Sequence, residues 1–215
     1  MNDDLMDSQR AVWEHTYTEL DPAKAESEPS PLAREVVQLL TPGARLLELG
    51  CGAGIDAALF ARGGATVTAT DFSEAALAHA RARFPGVPGL SFRALDMTAP
   101  LPFPDAAFDA VYARLSLHYF TDPVTRRVVA EIARVLAPGG PLALMCKSTD
   151  DPLYRRGTEI APHMWELGGK VRHFFSPAYT RELLGNAFVM TRLTYGPESP
   201  YGAPSDAVTA LATRR

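Results

Sequence analysis

From Arg45 onward, short apolar runs alternate with longer segments of helical periodicity, and this alternation constrains the fold more than any other feature of the chain. A strand that leads through a helix into the next strand of the same sheet builds parallel pairing with helices on both faces. Arg45–Leu49 reads as a strand, Gly54–Arg62 as a helix, Thr66–Thr70 as a strand and Ser73–Arg83 as a helix. Strands at Leu90–Ala94 and Phe108–Tyr112, a helix over Thr125–Leu136 and a strand at Leu142–Cys146 continue the series. Ala137-Pro-Gly-Gly140 separates the last two as a turn. The expected core is an open α/β sheet, mostly parallel.

Outside that core the pattern changes. Ser8–Leu20 reads as a helix carrying Trp13 and Tyr17, followed by a polar connector and a second helix at Pro31–Leu40. Beyond Lys147 the alternation fails, and Ser148–Ser176 is expected to be a long irregular insertion rich in aromatics, His and Gly. Such insertions in compact domains are usually functional. A short helix at Pro177–Leu184 precedes two strands, Phe188–Tyr195 and Ala207–Thr213, which are expected to pair as an antiparallel hairpin across a Pro- and Gly-rich loop. At 215 residues the chain suits one core. The expected domain is divided into N-terminal helices (1–40), a ligand-binding core (41–147), an insertion (148–186) and the hairpin (187–215).

Composition narrows the function classes. Apolar residues make up 47% and charged residues 21%, so a packed core is expected rather than disorder or a membrane span. Met1–Arg10 lacks the basic start and apolar run of a secretory signal, and no stretch approaches the roughly 20 apolar residues that cross a bilayer. Cys51 and Cys146 end predicted strands, where buried thiols are expected rather than a disulfide, and a cytoplasmic location fits. A net charge of -4 with scattered Lys and Arg disfavours nucleic acid as a partner.

The strongest motif is Glu48-Leu-Gly-Cys-Gly-Ala-Gly54, set where the first strand hands over to the first helix. Gly50, Gly52 and Gly54, with only Cys51 and Ala53 between them, let a ligand lie against backbone amides. The GxGxG spacing differs from the GxGxxG that seats a pyrophosphate, which disfavours a nicotinamide-binding protein. Asp71 ends the second strand, about 20 residues after the loop begins, where a carboxylate accepts from ribose hydroxyls. Its structural alternative is a helix cap ahead of Ser73 and Glu74. Phe72 offers a purine face, and Asp96-Met97 repeats the pairing of an acceptor with an apolar neighbour after the third strand.

Together with Phe108-Asp-Ala-Val-Tyr-Ala-Arg-Leu-Ser-Leu-His-Tyr119 and Arg134-Val-Leu-Ala-Pro-Gly-Gly140, these residues resemble the class I S-adenosylmethionine-dependent methyltransferases over roughly Arg45–Lys147. The resemblance implies a Rossmann-like fold and S-adenosyl-L-methionine as cofactor. It places the methionine portion on Gly50, Cys51, Gly52 and Gly54, the ribose on Asp71 and the adenine amine on Asp96. It also implies that Glu48 orders the loop and faces the ligand's amino group, and that Ala113 and Arg114 pass the methionine moiety. Trp13 and Tyr17 join the cofactor-binding candidates as aromatics able to fold over the cleft.

A sulfonium makes its methyl group electrophile enough that the protein need only hold an acceptor in line with it and exclude water. No nucleophilic triad is visible, and the dispersed His118, His163 and His173 show no metal-ligand spacing. His118, just past the fourth strand, is the candidate catalytic base, with an ionisation expected near 6.5; its alternative is a packing role beside Tyr119. Arg114 either anchors a carboxylate or forms a structural ion pair. Trp13, Tyr17, His163, Trp165, His173, Phe174 and Phe175 either line an acceptor pocket or anchor the outer segments. The expected activity is methylation of a small molecule. Methylation of protein or RNA, and a non-catalytic module that binds the cofactor, are the alternatives.

Overall fold

A computed structural model describes residues 2–20, 27–198 and 204–215, with only the backbone of residues 2–8. The core begins with α2 (Pro31–Val36), β1 (Arg45–Leu49), α3 (Ile55–Arg62), β2 (Thr66–Asp71), α4 (Glu74–Arg83) and β3 (Leu90–Ala94), preceded by α1 (Asn2–Thr18). It continues through β4 (Ala110–Arg114), α5 (Asp122–Val135) and β5 (Pro141–Lys147). Three short strands follow, β6 (Thr158–Ala161), β7 (Met164–Leu167) and β8 (Lys170–His173), then α6 (Pro177–Leu184), β9 (Phe188–Glu198) and β10 (Ser205–Arg214). The main sheet runs β3-β2-β1-β4-β5-β10-β9, with the first five strands parallel and β10 antiparallel to both neighbours.

Both faces of its central strands β1, β4 and β5 are buried, as their apolar residues require, while the edge strands β3 and β9 are largely exposed. Leu47, Leu49, Val111, Leu142 and Leu144 pack against α5 and α6, while Leu46, Val67, Tyr112 and Met145 pack with Phe60 and Leu32 of α3 and α2. In α5, Val124, Val128, Ile132 and Val135 form one buried stripe at helical spacing. Ser30, Ser73 and Ser176 cap α2, α4 and α6 by accepting from Ala33, Ala76 and Tyr179 N–H groups. A buried network also ties Ser30 to the sheet: Asp56 accepts from the Ser30 amide and hydroxyl, both at 2.8 Å, and from the Tyr112 hydroxyl at 2.7 Å. Chain order reverses between β1, which leads to β2 on one side, and β4, which leads to β5 on the other. Ligands of open α/β sheets bind outside the strand C-termini at such a switch point.

Several boundaries differ from the sequence reading. β4 lies two residues later than expected, because the Asp109 amide and carboxylate are engaged by Arg45 and Phe108 bridges only to Leu136. The shift places Ala113 and Arg114 on the strand's C-terminal end. α5 starts at Asp122, three residues early, helped by Pro123 in its first turn. The second helix closes as a 3-10 turn at Val37–Leu39. The largest correction concerns the insertion, which is an antiparallel sheet of order β6-β7-β8 rather than irregular chain. Its reversal is Gly168-Gly169, with φ of 60° and 77°, the left-handed pair that a tight two-residue hairpin demands. The polar connector at 21–26 and the hairpin tip at 199–203 lie outside the described residues.

Candidate cofactor and acceptor site

The glycine loop hangs over the end of β1 and is tied to β2. Gly50 and Cys51 amides both donate to the Thr70 carbonyl, at 2.8 and 2.9 Å, and the Gly52 amide donates to Asp71 Oδ2 at 2.9 Å. Asp71 Oδ1 accepts from the Ser73 amide at 3.0 Å, so Asp71 joins loop and helix while Ser73 is the cap. The helix-cap alternative for Asp71 therefore gives way to a bridging role. Burial raises the Asp71 pKa, against the pull of the Ser73, Gly52 and Phe72 amides.

Gly52 has φ of 51°, and a Cβ there would stand 2.6 Å from the Tyr17 hydroxyl, so α1 rests directly on the loop. Gly54 serves packing instead: its missing Cβ leaves the space taken by the Phe92 ring, 2.7 Å away, and its φ of 76° opens α3. Ser116, a rim residue the sequence reading missed, stands 2.5 Å from the position of a Gly50 Cβ, with Met97 behind it at 3.7 Å. Ala113 is fully buried at the end of β4.

α1 is held across the mouth by polar contacts from several elements. Arg10 pairs with Asp96, Glu14 Oε1 accepts from the Ala75 amide at 3.1 Å, and the Tyr17 carbonyl meets His79 Nε2 at 2.9 Å. Gln9 donates to the Gly169 carbonyl and accepts from the Val171 amide, joining α1 to β8. Asp96 also accepts from the Thr98 amide and hydroxyl. Arg10, Glu14 and His79 were not legible as a set, because their partners lie 61 to 86 residues away in sequence.

Buried polar atoms without hydrogen-bond partners gather around this rim. Among the described residues they include Glu48 Oε2, Ser116 Oγ, Trp13 Nε1 and both ring nitrogens of His118; Trp165 Nε1, on β7, is unpaired as well. Native interiors rarely leave such groups unpaired. Glu48 is buried among Asp56, Asp71 and Arg114; desolvation, with the two acids adding to it, pushes its carboxyl well above the usual range. His118 sits in a 3-10 turn at Leu117–Tyr119, with its ring centroid 4.2 Å from that of Tyr119. Burial, then Lys147, Arg172 and His173, hold its pKa well below 6.5, so it is neutral at neutral pH and the expected ionisation near 6.5 is corrected downward.

The outer aromatics divide. Phe174 and Phe175 are core residues. His163 bonds the Tyr154 hydroxyl through Nδ1 at 2.7 Å. Trp13 packs edge-on to Tyr119 at 4.8 Å. His173 packs on Phe175 and Tyr179 and is pushed down to about 4 by burial. No group of three His, Cys, Asp or Glu is arranged for a metal among the described residues. Cys51 and Cys146 are buried free thiols.

The methyltransferase domain family matches residues 46–140, the span that contains the loop, Asp71, Asp96 and the β4 rim. Residues 46–140 are a class I S-adenosylmethionine-dependent methyltransferase domain. The chain is 40% identical over 119 residues to a demethylmenaquinone methyltransferase of Clavibacter sepedonicus, covering 55% of this chain and 47% of that one. It is 37% identical over 115 residues to a ubiquinone biosynthesis O-methyltransferase of Paracidovorax citrulli, covering 52% and 48%. These matches span about half the length of each relative. The 1,6-didemethyltoxoflavin-N1-methyltransferase of Burkholderia thailandensis, solved with 1,6-didemethyltoxoflavin and S-adenosylhomocysteine, superposes with a TM-score of 0.77 over 99% of this chain and 91% of that one, at 22% identity. That likeness concerns the fold.

The site's residues fit the methyltransferase cofactor. The buried Glu48 oxygen without a partner suits an ammonium, the loop accepts no side chain at Gly52, and each oxygen of Asp71 keeps a lone pair for a hydroxyl. No helix is long and apolar enough to cross a membrane, among the described residues.

Proposed function

We propose that the chain transfers a methyl group from S-adenosylmethionine to a small-molecule acceptor held between the strand-end rim, α1 and the β6–β8 sheet. The observation that carries this reading is the set of unpartnered buried polar atoms on Ser116, His118 and Trp13: Ser116 lies against Gly50 of the glycine loop, and Trp13 packs on Tyr119 beside His118. The names of the relatives, which concern quinone and toxoflavin methylation, agree with a small acceptor. A net charge of -4 argues against a nucleic acid. The buried free thiols suit a reducing, cytoplasmic setting.

In this reading Gly50, Cys51 and Gly52 line the methionine portion of the cofactor, Glu48 and Arg114 face its charged ends, and Asp71 takes the ribose. Gly54 supports the loop from behind. Phe72 and Met97 bound the purine, and Asp96 exchanges Arg10 for the adenine amine. Trp13 and Tyr17 close over the cleft. The cofactor supplies an electrophilic methyl; the chain's own residues orient the acceptor and exclude water. A neutral His118 is in the protonation state that accepts a proton from an acceptor hydroxyl or amine. Residues 1–40, 41–147, 148–186 and 187–215 then act as one unit of lid, cofactor core, acceptor wall and closing hairpin.

Calorimetry with S-adenosylmethionine, S-adenosylhomocysteine and NAD, followed by transfer of labelled methyl to a panel of small hydroxylated and nitrogenous aromatics, tests the reading. Binding of the first two ligands without NAD, and label in an organic acceptor, are expected. Tight NAD binding would overturn it, and cofactor binding without transfer to any acceptor would favour a non-catalytic module. Once an acceptor is found, His118→Asn is expected to lower kcat by about 10²–10⁴-fold with cofactor affinity retained. Unchanged turnover would remove the base.

A further inference from the structure

The two cations of β8 have no acid to answer them. Lys170 and Arg172 stand two apart on one strand and therefore project from the same face, with Trp165 directly opposite Arg172 on β7. Both are partly buried, and neither forms an ion pair with a described residue. The three short strands contain two acids. Glu166 projects from the opposite face, where its Oε1 accepts from the Gly169 amide at 2.7 Å; Glu159, opposite Trp165 and so on the cations' own face, is exposed and forms an ion pair with neither.

The same face carries surplus donors. Trp13 and Trp165 each bury an indole N–H without an acceptor, and Arg172 buries its Nε likewise. An indole nitrogen only donates, so what this surface lacks is acceptor oxygen and negative charge. Lys170 Nζ lies 3.9 Å from the centroid of the Trp13 ring, and Trp13 in turn packs on Tyr119 beside His118. The patch is thus continuous with the rim at Tyr119 and His118. Lys170 rests on the Trp13 ring and Arg172 Nη1 donates to the Lys170 carbonyl at 3.3 Å, but partly buried charges without a counter-charge are costly, and two like charges side by side more so.

Resting on the methyl-transfer reading above, we infer that Lys170 and Arg172 form an anion subsite for the acceptor, which is a planar aromatic carboxylate stacked between Trp13 and Trp165. The cofactor also has a carboxylate, but a different cation serves that end: Arg114 is the one whose field reaches Glu48 at the loop. Arg172 acts instead on His118, whose protonation it opposes.

Trp13 and Trp165 are the two tryptophans of the chain, so its tryptophan fluorescence, excited beyond the absorption of tyrosine, reports on this surface. The full-length protein, saturated with S-adenosylhomocysteine, is titrated with salicylate, 4-hydroxybenzoate and quinoline-2-carboxylate, each against its uncharged amide. At least one acid is expected to quench at a concentration tenfold or more below that of its amide. Lys170→Gln and Arg172→Gln should each weaken that acid by roughly 10- to 150-fold, the range for losing a charged hydrogen bond, with S-adenosylhomocysteine affinity by calorimetry unchanged. Arg172→Lys should restore part of the effect, and Lys170→Gln, on a partly exposed side chain, decides the matter if the Arg172 variant fails to fold. Equal quenching by acid and amide in every pair, or variants that bind the acid as well as the parent, would overturn the inference. A loss of S-adenosylhomocysteine affinity in both variants would overturn it too, by giving the pair to the cofactor's carboxylate. Failure of S-adenosylhomocysteine to bind the parent protein would instead strike the methyl-transfer reading, which the calorimetry detects separately.

Discussion

Asp71 and Glu48 are both buried acids at the loop, yet they stand in opposite condition. Asp71 has each oxygen occupied by a backbone amide, so Asp71→Ala leaves two buried N–H groups unpaired. We expect it to cost about 1–3 kcal/mol of stability and also to weaken S-adenosylhomocysteine by roughly 10- to 150-fold. Thermal melts and calorimetry measure the two effects, and a change in stability alone would leave Asp71 a purely structural bridge. Glu48 has an oxygen with no partner and a carboxyl raised by burial. A raised acid contributes its stability below the unfolded value of about 4.5 and loses it as pH rises through the folded value. Glu48→Gln is therefore expected to raise the melting temperature of the ligand-free protein at pH 7 and to weaken cofactor binding. The gain in stability should vanish near pH 4, and a variant less stable at pH 7 would contradict the assignment.

At the scale of elements, α1 is the piece whose role differs most from its contribution to the core. Besides Trp13, which packs on Tyr119 and Lys170, it meets the rest of the protein through the polar contacts of Arg10, Glu14, Tyr17 and Gln9, which open locally at modest cost. Tyr17 over Gly52 and Arg10 on Asp96 occupy positions that the cofactor reading assigns to ligand. Admission of the cofactor then requires α1 to lift and reseat, as gating elements do. Deleting residues 1–20 should reduce turnover by well over tenfold while the core still melts cooperatively. Limited proteolysis should show α1 protected once S-adenosylhomocysteine is bound. Loss of cooperative melting on deletion would make α1 part of the core.

For the whole molecule, the buried histidines set an acid limit. His118 and His173 are both held below 6.5, chiefly by burial, so each is neutral in the fold and protonates readily once unfolded. A depressed pKa confers stability above the unfolded value and loses it as pH falls toward the folded one. For His173 that window runs from about 6.5 to about 4, at about 1.4 kcal/mol per pH unit. Denaturant midpoints measured across it should fall with pH, and His173→Phe should flatten the slope. An unchanged slope would mean that His173 titrates normally. The penalty bears on function because both histidines lie where β8 and the rim turn pack together, so acid should loosen the acceptor wall before the sheet.

The strand and helix order from Arg45 to Lys147, the loop and the acids after β2 and β3 were legible in the sequence, because periodicity and glycine spacing are local properties. So was the family resemblance, which rests on those same residues. The insertion was misread as irregular because strands of four residues are too short to show a period, and only the Gly168-Gly169 reversal hinted at pairing. Tertiary structure alone decided that Asp71 bridges rather than caps, that Gly54 packs on Phe92, and that His118 is buried and neutral. It also brought Arg10 to Asp96, Tyr17 to Gly52, and Lys170 to Trp13. Those outcomes depend on which distant segments meet and on how much water is excluded when they do. Neither quantity is carried by the residues on either side of a position along the chain.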